Sequence, residues 1–569
     1  MSKLFRKAVV LLILYFITIP ILADELLIRI ENYDRDILTW MESHQKSERI
    51  IYAREYLDIL ADQETIDFFD SKHLQYTVLK TREEIVRDLE NYRNYDDILG
   101  ELQTYAADFA DITSLFSLGP STCSIYYSEG NENYADYQHE IWCLKVSDNP
   151  EIEEDEPNIY FSATIHANET IGTEVVMTFM QEFFAGYGTD PEIAEYVANN
   201  QIWFIPLINP DGQKIVVEEL SLSHRKNMRD NNGNGMPDYS TTDGVDMNRN
   251  FGYVWGPNGT SSNPSSNLYH GPEAWSEIEV QHLRDLIQGR KFWGGITYHS
   301  QGEWVLYPLG HLPGACSYDH EIMGDLAIDM ALTIPRLSGS GYYTPAQAVN
   351  FGYTCQGTMG DWSYAEERVF GYTIELANTY IPENPYQVCQ DNQQAIRIML
   401  NRFNNRLLTG HVTDPWGTPL VAEIHVVQVD EQTEMSDVEP YRSGAHFGRY
   451  WRPLLTGNYD VEYILEGYDT ETVENIAVNE NGITEVNVTL YPIWWGEHFK
   501  GDVDDNGSID AFDSSVLMRY LVGWDPAPYA PLPWEDWRLI IADASNDGRL
   551  DSYDCALILQ YVVGIIPEF

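Results

Sequence analysis

Between about residues 94 and 400 the apolar positions fall into two alternating kinds of run. NIYFSATIH (158–166), QIWFIPLIN (201–209), KFWGGITYH (291–299) and YTIEL (372–376) are short, nearly continuous apolar stretches, as strands buried on both faces are. The stretch after the first, ETIGTEVVMTFMQEFFAGY, has helical spacing instead, and the alternation predicts an α/β domain over 94–405. Over 409–492 short segments alternate apolar and polar residues between Gly and Asn turns, which predicts a β-sandwich. Upstream, 51–58 and 74–79 read as strands around a short helix, a separate small α/β unit over 24–90. At the N-terminus Lys3, Arg6 and Lys7 precede an apolar run over 8–22, and a small residue near Ala23 suits cleavage of a secretory signal peptide, residues 1–23. No later stretch reaches the roughly 20 apolar residues that span a bilayer, so the reading is a secreted protein with no membrane association after signal removal.

Charge changes the picture more than size does. The 569 residues carry a formal net charge of -55, which argues against a nucleic-acid partner. With 44% hydrophobic residues the chain is nonetheless too apolar to be a disordered acidic polymer. Six cysteines are too few for a disulfide-built scaffold. Cys123 and Cys143 flank a stretch that reads as a hairpin and could pair, whereas Cys555 reads as a small buried hydrophobe.

Part of the acidity is organised. Two segments share one pattern: Asp502, Asp504, Asn506, Gly507, Ser508, Asp510 and Asp513, then SSVLMRYLVG; and Asp543, Ser545, Asp547, Gly548, Arg549, Asp551 and Asp554, then CALILQYVVG. Oxygen side chains stand at loop positions 1, 3, 5, 9 and 12, Gly stands at 6, and position 7 (Ser508, Arg549) offers its carbonyl, which is Ca²⁺-loop spacing. The duplicated loop-helix pattern over 500–569 resembles a type I dockerin. The resemblance implies two Ca²⁺ ions and docking onto a cohesin module of a cellulosome-like scaffold. Ala511/Phe512 and Ser552/Tyr553 stand at the family's recognition positions, and the inter-repeat segment 523–537, rich in Pro and Trp, is longer than the family's linker. A third loop, Asp230 to Asp238, has alternating oxygen side chains but no carboxylate at position 12, and reads as an Asx-rich turn.

In the α/β region polar residues end the apolar runs: His166 with Glu169, His299, and Glu375. Open α/β sheets place their sites at the carboxyl ends of strands. His166 and Glu169, three apart at a strand-to-helix turn, can face one point, and a second His would complete a His₂Glu zinc site. RKNMR (225–229) and GVDMNRNF (244–251) add arginines able to hold a carboxylate with paired hydrogen bonds. Together with HANE (166–169), YHGPEAWSE (269–277), His299 in YHSQGEWVLYP, Tyr353 ahead of DWSY (361–364), and YTIEL, these segments resemble the zinc carboxypeptidase family.

That resemblance implies that His166, Glu169 and His299 bind one catalytic Zn²⁺ and that Glu375 is the general base and acid. It implies that Arg229 polarises the scissile carbonyl, that Asn248, Arg249 and Tyr353 hold the substrate's terminal carboxylate, and that Arg225 assists in an outer subsite. The substrate would be a peptide or protein with a free C-terminus. Gln301 replaces a Tyr that many relatives carry and bears on an outer subsite, and Gly360, at the position that often sets side-chain preference, implies apolar or broad preference. Residues 24–90 resemble the family's inhibitory propeptide, and 409–492 the transthyretin-like domain that follows some carboxypeptidases. Two other readings stay open: a cell-wall or γ-glutamyl peptidase on the same fold, and an inactive binding relative.

Overall fold

The computed structural model describes residues 26–31, 33, 35–43, 50–52, 56–218, 220–239, 242–350, 354–379, 381–431, 438–493 and 498–567. The signal-peptide segment and Tyr353 lie outside the described residues. No helix among the described residues is long and apolar enough to cross a membrane.

The N-terminal unit pairs strands β1 (Leu26–Glu31), β2 (Ile50–Tyr52), β3 (Tyr56–Ala61) and β4 (Thr77–Thr81) in the order β2-β3-β1-β4. Helix Gln63–Ser71 is capped by the Asp62 side chain, and Arg82–Leu89 opens with a capping box between Thr81 and Glu84.

The central sheet has eight strands: β5 (Thr113–Pro120), β6 (Glu140–Val146), β7 (Asn158–Ala163), β8 (Gln201–Ile205), β9 (Phe292–Ser300), β10 (Trp304–Tyr307), β11 (Thr344–Gln347) and β12 (Phe370–Leu376). Their order is β11-β10-β12-β9-β7-β8-β6-β5. The inner strands β12, β9, β7 and β8 are mutually parallel, and β10, β6 and β5 are joined antiparallel. All residues of β7, β8 and β9 are buried, which is why their sequences are apolar without alternation. Helix Ile171–Gly186 lies against one face, with Val175, Phe179 and Phe183 in the main core. Helix Ile278–Gly289 covers the other, with Val280, Leu283 and Ile287 beside Trp203 and Phe292.

The hairpin reading of 123–143 fails, and with it the Cys123–Cys143 pairing. Ser121 caps a helix, Thr122–Ser128, and only Glu140–Val146 is a strand. Both thiols are free and lie in different apolar clusters, Cys123 with Tyr134 and Tyr137, Cys143 with Tyr160 and Trp203.

Two further sheets follow. One joins β15 (Arg449–Pro453), β13 (Leu407–Thr413) and β18 (Ile483–Glu485), with β19 (Val488–Thr489) also on β13; the other joins β14 (Glu423–Val426), β16 (Gly457–Ile464) and β17 (Glu471–Val478). Their inward residues, among them Leu407, Tyr450 and Tyr463, are continuous with the core of the eight-stranded unit. At the C-terminus, helices Ala511–Leu521 and Ser552–Val562 start from Asp510 and Asp551, each closing a capping box with the Asp three residues on. Cys555 is buried between them with Val516, Leu517 and Ile558, and Trp534 from the inter-repeat segment joins that core, stacked on Tyr520 at 3.9 Å.

Candidate active site

Strand register builds the site. In the parallel pair β9/β12, His299 stands directly beside Glu375, and in β7/β9 the last pair is Ala163 with Tyr298. Three parallel strands therefore end side by side, and the turn after β7 carries His166 and Glu169 to the same place. Thr164 in that turn holds φ at 53°, an uncommon conformation for a β-branched residue, steadied by its Oγ1 bond to Thr173 at 2.8 Å.

His166 Nδ1 lies 2.9 Å from Glu169 Oε1 and 3.1 Å from His299 Nδ1, and His299 Nδ1 lies 2.9 Å from Glu169 Oε2. All three side chains are buried. On its far side, His166 Nε2 lies 3.0 Å from the Asp246 carboxylate and 2.8 Å from Arg225 Nη2. Asp246 is fully buried and its carboxylate accepts a hydrogen bond from Nε2–H, so Nδ1 presents a lone pair toward two other acceptor-bearing groups. Lone pairs converging at these spacings need a cation between them, and two imidazole nitrogens with one carboxylate are the donor set that suits zinc. The residues present fit the ion.

Burial alone would raise the Glu169 carboxyl, but His166 and His299 outweigh it and hold it below the usual range. Asp246 is likewise held low, burial being overcome by Arg225, Arg249 and His166. Glu375 goes the other way: burial first, then the Glu169 charge, push it well above the ordinary carboxyl value, against Arg225 and Arg249. One carboxylate is thus kept ionised while its neighbour holds a proton readily, the asymmetry expected of a metal ligand beside an acid–base group.

His166, Glu169, Arg225, Asn248, Arg249, His299, Gly360 and Glu375 line one cleft of about 140 Å³. Arg249 is buried and anchored through Nη1 to the Asn248 carbonyl at 2.7 Å and through Nε to the Gly259 carbonyl at 3.2 Å. Asn248 Oδ1 accepts the Met359 amide at 2.9 Å, tying this turn to helix Met359–Ala365. Gly357, just before that helix, has φ +69° and packs where a Cβ would sit 2.4 Å from the Arg249 carbonyl, so only glycine fits.

Arg229 requires a correction. It does not line the cleft; its Nη1 pairs with the buried Glu277 at 3.1 Å. The arginine at the metal cluster is Arg225, which bonds Glu169 Oε1 at 3.0 Å and Asp246 Oδ2 at 3.1 Å. The cause is local: the Ala167 amide donates to the Arg225 carbonyl at 3.0 Å, pinning Arg225 beside the His166 turn, while Asn227 Nδ2 donates to Glu277 at 2.7 Å and draws the chain away. Sequence reasoning also missed Asp246, the partner of His166; its place two residues ahead of Asn248 was the available signal.

In the C-terminal loops Asp502, Asp504 and Asp513 converge, and Asp504 Oδ1 is buried with no partner among the described residues. Burial, then the neighbouring Asp504 and Asp502 charges, push Asp513 up to about 6, a strain that a bound cation would relieve. Gly507 and Gly548 donate to Asp502 and Asp543 at 2.8 and 2.9 Å, and Asp513 and Asp554 accept the position-3 amides of Asp504 and Ser545 at 3.1 and 2.9 Å. Asp510 and Asp551 accept the Phe512 and Tyr553 amides at 2.6 Å, Asp547 accepts the Arg549 amide at 2.9 Å, and Asn506 and Ser508 lie on the first loop. In the 230–238 loop, Asp230 accepts the Gly233 and Gly235 amides at 2.6 and 2.8 Å, as an Asx-rich turn does.

A mixed sheet with a His-Glu-His cluster at the carboxyl ends of its parallel strands, faced by a proton-holding carboxyl, defines a metallopeptidase domain. Residues 136–395 match the zinc carboxypeptidase family model and residues 500–563 that of the dockerin type I domain. The chain thus carries a zinc carboxypeptidase domain over 136–395 and a dockerin type I domain over 500–563. The zinc carboxypeptidase of Saccharothrix mutabilis subsp. capreolus is 29% identical over 298 residues, 50% of this chain and 62% of that protein. Carboxypeptidase B of Astacus astacus is 27% identical over 305 residues, 52% of this chain and 91% of that protein. Carboxypeptidase D of Mus musculus is 25% identical over 420 residues, 70% of this chain but 27% of that protein. The fold matches the crystal structures of thrombin activatable fibrinolysis inhibitor (TM-score 0.56, 18% identity) and of a carboxypeptidase A from Helicoverpa armigera (TM-score 0.53, 18% identity). Each match covers 66% of this chain, and 98% and 96% of the respective structure.

Proposed function

We propose that the protein is a secreted zinc metallocarboxypeptidase that removes the C-terminal residue of peptides. The reading rests on one observation: the His166, Glu169 and His299 donors converge within one cleft that also holds Glu375, Asn248 and Arg249. Zinc held by His166, Glu169 and His299 would acidify a water and polarise the scissile carbonyl. Glu375 takes the proton from the attacking water and returns it to the leaving amine, a role suited to a carboxyl whose affinity for protons is raised by burial. Arg225, beside the cluster, steadies the charge that develops on the carbonyl oxygen. Arg249 and Asn248, with Tyr353 from outside the described residues, hold the terminal carboxylate and restrict cleavage to the chain end. That buried cation in the cleft favours an α-carboxylate substrate over a γ-glutamyl or cell-wall amide.

The N-terminal unit is read as an inhibitory propeptide. Arg29 and Asp58 form a paired salt bridge at 2.7 and 2.8 Å, Asp58 accepts from Gln301 in the cleft wall at 3.2 Å, and Lys80 donates to the Ile381 carbonyl at 2.7 Å. The two sheets over 409–492 are read as a transthyretin-like β-sandwich. The C-terminal module, with two Ca²⁺ ions, is read as docking onto a cohesin of a cellulosome-like scaffold. The test is mass spectrometry of a peptide library incubated with the zinc-loaded protein. Stepwise loss of single C-terminal residues, abolished by Glu375→Gln and by C-terminal amidation, is expected; equal turnover of amidated peptides would remove the exopeptidase reading.

A further inference from the structure

A second cavity, of about 420 Å³ against about 140 Å³ for the catalytic cleft, lies where the β-sheets over 409–492 cover the α/β domain. That volume falls in the range of about 300–1,000 Å³ usual for small-molecule sites. Its floor is made by the segments that lead into β7, β9 and β12: Asp155 and Glu156, Lys291, and Glu366 with Glu367. Its roof is the stretch from Glu439 to Trp451. The same three strands carry His166, His299 and Glu375 at or just beyond their opposite ends. From Phe292 to His299 along β9 is about 23 Å of strand, so the cavity is a place apart from the cleft.

Its polar groups are unmatched on two sides. Beside β7, Asp155 Oδ1 and Glu156 Oε2 are inaccessible and have no hydrogen-bond partner among the described residues. Arg449 Nε stands 3.8 Å from Asp155 Oδ1, too far for a hydrogen bond, and is unpartnered as well. Burial, then the Glu154 and Asp148 charges, push Glu156 up to about 8, an effect that a neighbouring cation would reverse. Toward β12, the half-buried Arg442 guanidinium makes no hydrogen bond or ion pair among the described residues. Near it, Lys291 Nζ donates to the Glu367 carbonyl and to no carboxylate. Buried polar groups left unpaired are costly, so acceptors on one side and donors on the other call for a ligand that fills both.

The lining also selects by charge. Seven carboxylate side chains stand against three cations, Lys291, Arg442 and Arg449. That excess disfavours a simple anion, and the paired cations toward β12 disfavour a simple cation there. A molecule with an ammonium at one end and a carboxylate at the other satisfies both sides through charge-assisted hydrogen bonds. We propose that this cavity is a second peptide site, which takes the N-terminal ammonium of a short free peptide at Asp155 and Glu156 and its C-terminal carboxylate at Arg442 and Lys291. A peptide held in this way bridges the α/β domain and the sheets behind it, and stabilises their contact by mass action. The site does not depend on the carboxypeptidase reading.

The test is calorimetry on the zinc-loaded full chain with tri-D-alanine, whose inverted residues keep both terminal charges while opposing turnover. Binding is expected, and N-acetylation or C-terminal amidation of the peptide should each weaken it about 10- to 100-fold. Arg442→Met should lose a similar factor and no longer distinguish the free peptide from the amidated one, with Arg442→Lys recovering part of the loss. Glu156→Gln should no longer distinguish the free peptide from the acetylated one. Arg249→Met, a change in the catalytic cleft, should bind as the unaltered protein does. A merely structural role for Arg442 or Glu156 would weaken all three peptides alike. No binding by the unaltered protein, equal binding of the three peptides, or a loss in Arg249→Met in place of Arg442→Met would overturn the site.

Discussion

Arg225 and Arg229 lie four residues apart in one basic segment, yet the structure gives them unlike work, and neutral replacements should separate them. Arg225→Met removes a guanidinium whose side chain is 18% exposed and which bonds Glu169 and Asp246 at 3.0–3.2 Å. Losing a fixed donor at a developing oxyanion costs about 2.7–4 kcal/mol of barrier, or about 10²–10³ in kcat. The same change loosens Asp246, which orients His166, and disturbed partners of this kind lower metal affinity by about 10–100-fold. The comparison therefore has to be made at saturating zinc, with metal content measured. Arg229→Met should leave kcat within a few-fold, because Arg229 reaches no cleft atom. Its cost falls on stability: Glu277 keeps Ser276 Oγ at 2.6 Å and Asn227 Nδ2 at 2.7 Å but loses its cation, about 1–3 kcal/mol. The assay is kcat and KM on one C-terminal peptide together with a denaturant melt of each variant. If Arg229→Met lowered kcat as much as Arg225→Met, the assignment of the oxyanion role to Arg225 would be refuted.

Three further outcomes follow from the same structure. Arg452→Met should destabilise the protein by about 3 kcal/mol in urea melts, since it strips a buried partner from Asp319, and adding Asp319→Asn should recover part of the loss; an unchanged midpoint would contradict the buried pair. Burial, then the Asp211 and Glu277 charges, push Glu279 up to about 7 from an ordinary value of 4.5. Stability is then fully present below about 4.5 and is lost as pH rises through about 7, so Glu279→Gln should raise the melting midpoint at pH 8 far more than at pH 5, and an equal shift at both would exclude this titration. Because protons compete for Asp513, calcium binding by the C-terminal module should weaken as pH falls through about 6, and calorimetry giving the same affinity at pH 5 and pH 7.5 would oppose the assigned ligands.

The inner strands were legible because burial on both faces leaves only apolar residues, a pattern that local sequence carries in full. The metal triad was legible because its members end those strands. What was not legible came from register and from hydrogen bonds that local spacing does not encode. The pairing of His299 with Glu375 depends on how two strands 70 residues apart align. The choice between Arg225 and Arg229 depends on one bond from Ala167 to the Arg225 carbonyl. The segment after Cys123 reads as a hairpin by its polar punctuation, but Ser121 caps a helix there and the two thiols enter separate cores. Local propensity was outweighed at each of these places by tertiary contact.

The residues after 409 read as a separate module, and in the structure they are part of the cleft's support. Arg452 from β15 and Asp319 from the α/β domain are both fully inaccessible to solvent, and bond at 2.5 Å. Asp319 Oδ2 also accepts from Arg368 at 2.8 Å and from Tyr364 at 2.9 Å, and Arg452 reaches Asp430 at 2.9 Å. A buried ion pair is a poor source of net stability, because removing the charges from water offsets most of their attraction. It is demanding about geometry, since any shift leaves a charge unpaired in a dry interior. That demand falls on Tyr364, near the end of helix Met359–Ala365, whose first turn carries Gly360 and Asp361 into the cleft. Between the two ends stands Trp362, fully buried against Phe251 and Trp275, so the helix cannot tilt at one end alone. The β-sheets thus fix one wall of the substrate cleft from behind, and a cut at residue 405 would release that wall as well as expose the shared core.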